Sequence, residues 1–95
     1  MFLVYCLDRP NSEKLRAALR APHIAYLERH RDKIALIGPT LDEAGQPNGM
    51  MLILDVKERH EAEAFLAGEP FVTGNLFGAT DIRPWRAAMG RWKEA

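Results

Sequence analysis

KIALIGPTLDEAGQPNGMMLILDV, residues 33–56, decides how this chain folds. KIALIGPT (33–40) is an apolar run closed by Gly38-Pro39. GMMLILDV (49–56) is a second and stronger one. Between them LDEAGQPNG is polar and full of turn formers, so the stretch reads as strand, loop, strand. In the second strand Met50, Leu52, Leu54 and Val56 form one row, and Met51 and Ile53 lie on the other. A strand with one wet face should alternate apolar and polar residues; this one is apolar on both parities.

Working outward, residues 2–7 carry Phe, Leu, Val, Tyr and Cys and read as a strand broken by Asp8-Arg9-Pro10-Asn11. Ser12 followed by Glu13 opens a helix expected over 12–32, with Leu15, Ala18, Leu19, Pro22, His23, Tyr26, Leu27 and His30 at helical spacing. Pro22 removes one internal hydrogen bond, which predicts a kink or restart near Arg20-Ala21. On the other side, residues 58–67 read as a second helix with Ala62, Phe65 and Leu66 inward, stopped by Gly68-Glu69-Pro70. A short turn in PFVTGNLF and a strand in LFGATDIRPW follow, then a tail, RAAMGRWKEA, read as a short helix or irregular arm.

The order is β-α-β-β-α-β. It predicts an α+β, ferredoxin-like domain: a four-stranded antiparallel sheet with two helices on one face. Residues 1–95 are read as one such domain. The apolar second face predicts a homodimer packed sheet to sheet, with Trp92 in the tail crossing to the partner.

Lys and Arg together number 13, as do Asp and Glu, so the formal net charge is zero. That argues against nucleic acid or an anionic membrane as partner, since both favour a basic excess. No apolar run is long enough to span a bilayer. The opening MFLVYCLDRP lacks a basic leader and a small-residue cleavage site, and a lone cysteine suits the cytoplasm. Cys6 reads as a small buried hydrophobe.

His23 is the residue that asks for an explanation. It lies seven positions after Arg16, two helical turns away and almost in line with it, on the edge of the face that packs on the sheet. A buried imidazole wants partners for its ring nitrogens, and no carboxylate nearby in sequence suits. Glu69, at the end of the second helix, is the first candidate; Asp81 in the last strand is the second.

The ordered set Arg16, His23, Tyr26-Leu27, then IGPTLDEAGQPNG, then EAEAFLAGEPFVTGNLFGATDIRPW resembles the YCII-related family, from the first strand to Trp85. The resemblance implies a ferredoxin-like fold of the dimeric α+β barrel group. It also implies an active-site pair made by a histidine at the His23 position and an acid before Pro-Phe. That acid is Glu69 here, where the family pattern has aspartate one methylene shorter. The family includes a chloroaromatic dehydrochlorinase and relatives resembling muconolactone isomerase.

A carboxylate on one ring nitrogen fixes the tautomer and leaves the other as a general base. With His23 and Glu69 as catalytic pair, the expected activity is that of a lyase or isomerase needing no cofactor. It would act on a small organic acid or an aromatic-degradation intermediate. Arg16 would clamp an anionic oxygen of this small-molecule ligand. Tyr26, Phe71, Phe77 and Trp85 would complete the binding site, or else serve as core and dimer contacts. His30 and His60 read as solvated, and no metal-ligand spacing appears. Two alternatives stay open: a non-catalytic ligand-binding or regulatory homodimer, and a His23 that only joins the two helices.

Overall fold

The computed structural model describes residues 1–94; Ala95, the end of the expected tail segment, lies outside the described residues. The elements are β1 (Phe2–Asp8), α1 (Glu13–Arg29), a 3₁₀ turn (Arg31–Lys33), β2 (Ile34–Leu41), β3 (Pro47–Leu54), α2 (Arg59–Gly68), α3 (Pro70–Thr73), β4 (Phe77–Pro84) and α4 (Arg91–Glu94). The strands form one antiparallel sheet in the order β2-β3-β1-β4. This is the ferredoxin-like arrangement, with β1 and β3 at the centre.

The period of two along the central strands builds the core. Phe2, Val4 and Cys6 of β1 and Met50, Leu52 and Leu54 of β3 point to the helix side, where Tyr26, Ala62, Phe65, Leu66, Phe71 and Leu76 cover them. The register pairs Val4 with Leu52 and Cys6 with Met50, so the two rows interlock across the sheet centre. The other parity forms the open face. There Leu3 lies beside Ile53 and Arg83, and Tyr5 beside Met51 and Asp81. Tyr5, Leu7 and Leu36 are exposed on it.

Three local expectations change. Gly38-Pro39 does not close β2, which continues to Leu41. β2 is an edge strand, where proline's missing N–H leaves no ladder bond broken. Pro22 does not divide α1, which runs as one helix from Glu13 to Arg29. Pro22 points outward, so the carbonyl one turn back can meet solvent. Leu15 and Ala18 are exposed too; the inward stripe is Arg16, Leu19, His23, Tyr26, Leu27 and His30.

α2 opens with Glu61 accepting the backbone N–H of Glu58 at 3.0 Å, half of a capping box. After β4 the chain crosses the open face. Met1, Leu3, Leu36, Met51, Ile53, Trp85, Met89 and Trp92 border a hollow of about 810 Å³ there. Among the described residues no helix is long and apolar enough to cross a membrane.

Candidate active site

His23 faces the sheet from the middle of α1 and is almost fully buried. Its partner comes from the junction between α2 and α3. Glu69 ends α2 and begins α3, and is completely buried. The sharp change of direction there is local chemistry. Glu69 adopts an extended backbone, Pro70 takes the first helical position, and the Glu69 side chain caps the new turn by accepting the Phe71 N–H at 3.2 Å. The same oxygen, Oε1, lies 2.5 Å from His23 Nδ1. With Oε1 already accepting one N–H, Nδ1–H is the natural donor of this bond. The other carboxylate oxygen, Oε2, is buried with no partner among the described residues.

Phe71 completes this arrangement. Its ring stacks on the imidazole with centroids 3.7 Å apart and planes within 9°. Phe77 meets Phe71 edge-on at 5.9 Å. The Arg16 guanidinium sits 4.9 Å from the Phe71 centroid. Arg16, His23, Glu69, Phe71 and Phe77 therefore form one connected group under α1, held by β1, β3 and α3.

The remaining expected residues fall elsewhere or have other roles. Tyr26 is buried one turn after His23, but its hydroxyl donates to the Phe65 carbonyl at 2.6 Å, joining α1 to α2. Burial first, then the Glu69 charge, raises its phenol above the ordinary range. Trp85 lies on the open face and borders the hollow under the tail, away from His23. Asp81 is also on that face and accepts from Arg83 at 2.8 Å, so it is not the partner of His23. His30 is half-buried rather than solvated, its ring 4.3 Å from that of Tyr26. A second hollow of about 260 Å³ lies between α1 and β2, along Ile24, Leu27 and Ile37. Neither of these two hollows borders His23.

Sequence reasoning missed Asp8, read there only as part of a turn. Its carboxylate accepts from Arg16 Nε at 2.8 Å. The signal was present: Asp8 continues the inward row of Phe2, Val4 and Cys6. Cys6 itself is fully buried. Desolvation pushes its thiol up to about 11, against a lowering by the Thr80 hydroxyl and with smaller raising by Glu69 and Asp8.

The chain as a whole has relatives. A family model described as the YCII-related domain matches residues 1–86. No curated protein sequence matches the chain. Among solved structures, the 5-chloro-2-hydroxyhydroquinone dehydrochlorinase TftG of Burkholderia phenoliruptrix, in complex with 2,5-dihydroxybenzoquinone, is 35% identical with a TM-score of 0.84. The match covers 92% of this chain and 94% of that one. With its sheet order, its helix-borne histidine and a family match over nearly its whole length, the chain belongs to the YCII-related family.

Proposed function

We propose that the chain is a cofactor-independent acid–base enzyme of the lyase or isomerase type. His23 and Glu69 are its catalytic pair, and an aromatic-degradation intermediate or a related small organic acid is its substrate. The observation that carries this reading is the buried bond from His23 Nδ1–H to Glu69, which commits one ring nitrogen and leaves Nε2 as the base. The likeness to a dehydrochlorinase supports elimination as the reaction type.

For a chlorinated polyhydroxybenzene the steps balance without an outside oxidant. Nε2 takes a ring hydroxyl proton, and the oxygen electron pair becomes a carbonyl. Ring electrons move to the chlorine-bearing carbon, which takes the proton back from the imidazolium. Nε2 then removes a second hydroxyl proton as chloride departs with its bonding pair. The ring ends as a quinone, and HCl is the loss. Arg16 donates to the oxygen on which negative charge builds, and Glu69 holds the imidazolium while it exists.

The proposed assembly is a homodimer in the cytoplasm, packed through the open sheet faces, whose exposed Tyr5, Leu7 and Leu36 support it. A second reading, a ligand-binding homodimer without turnover, draws on the hollow of about 810 Å³ that lies away from His23.

The test is chloride release from 5-chloro-2-hydroxyhydroquinone, the compound named for the solved relative, with the product identified by mass spectrometry. His23→Gln keeps a donor for Glu69 and removes the base, so it should lower kcat by roughly 10²–10⁴-fold. An unchanged rate in that variant would overturn the catalytic pair. Saturable binding with no product in the parent protein would favour the second reading.

A further inference from the structure

We infer that Asp8 is a positioning residue: it fixes the guanidinium of Arg16 so that its unengaged edge meets a charge-bearing substrate oxygen beside His23. The inference rests on the catalytic reading of this site and adds a residue to it.

Asp8 closes β1, and the pairing of β1 with β4 shifts register between Leu7 and Asp8. Such irregularities re-aim the side chain at the strand end. The row it completes is otherwise apolar, since Phe2, Val4 and Cys6 all enter the core. A carboxylate at the end of that row needs a cation, and Arg16 supplies it. Arg16 Nε lies 2.8 Å from Asp8 Oδ2, and Nη2 lies 3.4 Å from Oδ1. Nη2 also donates to the Gly49 carbonyl at 2.7 Å. The Asp8 and Arg16 side chains keep only 9% and 16% of their surface exposed.

A guanidinium has five N–H donors in a rigid planar fork. Asp8 and Gly49 occupy the Nε edge and Nη2, and Nη1 has no partner among the described residues. The plane is held as well by the Phe71 ring at 4.9 Å, the same ring that stacks on His23. The Nη1 donors therefore have a set direction relative to the imidazole. Their natural acceptor is a phenolate, enolate, carboxylate or quinone oxygen. Without Asp8 the long Arg16 side chain regains its rotamers, and the donors lose that direction.

The test compares the parent protein with Asp8→Asn, Asp8→Glu, Arg16→Ala, Asp8→Asn/Arg16→Ala and Glu28→Gln. The last removes a charge from the exposed pair with Arg31 and serves as control. Readouts are KM and kcat for chloride release from 5-chloro-2-hydroxyhydroquinone, calorimetric binding of 2,5-dihydroxybenzoquinone, and thermal unfolding. Asp8→Asn should lower kcat/KM for chloride release and weaken quinone binding, each by about 10–100-fold, the range for a lost charge-assisted bond to the charge-bearing oxygen. The double variant should be no worse than Arg16→Ala alone. Should Asp8→Asn fail to fold, Asp8→Glu carries the test, because it keeps the charge and displaces the guanidinium. An unchanged kcat/KM and affinity in the folded variant, or a loss that adds to that of Arg16→Ala, overturns the role of Asp8. A parent protein that neither binds the quinone nor releases chloride overturns the catalytic reading itself.

Discussion

Glu69 serves two elements with one oxygen: Oε1 caps α3 through the Phe71 N–H and accepts the Nδ1–H of His23, 46 residues away in sequence. The packing of α1 against α3 and the orientation of the imidazole are thus one feature. Anything that moves the start of α3 moves the ring.

The stability effect of breaking this pair follows directly. Glu69→Ala leaves a buried imidazole N–H and a buried backbone N–H without acceptors, and should cost about 3–5 kcal/mol, the range for breaking a buried polar pair from one side. Glu69→Gln retains an acceptor at that position and should cost clearly less. Urea unfolding measures both; similar losses for the two variants would contradict the shared-acceptor account.

Alkaline stability should report on Cys6. Its native thiol titrates near 11 against 9.0 for the free group, so between these values the unfolded chain has released the proton and the native chain has not. The contribution is therefore intact below pH 9 and is lost as pH rises toward 11. It amounts to about 3 kcal/mol at about 1.4 kcal/mol per unit. Tyr26, raised in the same sense, adds to the fall above pH 10. Denaturant melts across pH 8–11 should show a shallower decline for Cys6→Ala than for the parent.

Gly49 is a point of close approach. A Cβ there would stand 2.5 Å from both the Cys6 carbonyl oxygen and Thr40 Oγ1, and the first of these is backbone. Gly49→Ala should therefore destabilise by about 1–3 kcal/mol through overpacking. Because the Gly49 carbonyl receives Arg16, the same variant should weaken quinone binding. Thermal unfolding and calorimetry on one sample check both; a variant as stable as its parent would refute the steric argument.

The open face is tested through Tyr5, whose register neighbours there are Met51 and Asp81. Tyr5→Glu places a carboxylate among apolar side chains and beside a second acid. Light scattering after size exclusion should show a dimer for the parent and a monomer for the variant. A parent that elutes as a monomer would remove the proposed dimer.

Much of this architecture was legible from local pattern. The alternating rows of 2–7 and 50–54, the turn formers in 42–46 and the stop at Gly68-Glu69-Pro70 all follow from short-range sterics and burial, which sequence spacing records. The errors came where position in the sheet overrides propensity. Gly38-Pro39 reads as a strand exit, but an edge strand tolerates proline, and edge status depends on the order of all four strands. Pro22 reads as a break, but it faces solvent.

The sequence by itself determined the β-α-β-β-α-β order, the inward residues of α2 and the candidacy of His23 and Glu69. Only the tertiary structure decided what these residues meet. Phe71 lies flat on the imidazole, Tyr26 spends its hydroxyl on Phe65, Trp85 lies on the opposite face, and Asp8 holds Arg16. The reason is physical: periodicity assigns a side chain to a face, but its partner on that face comes from wherever the register brings another segment.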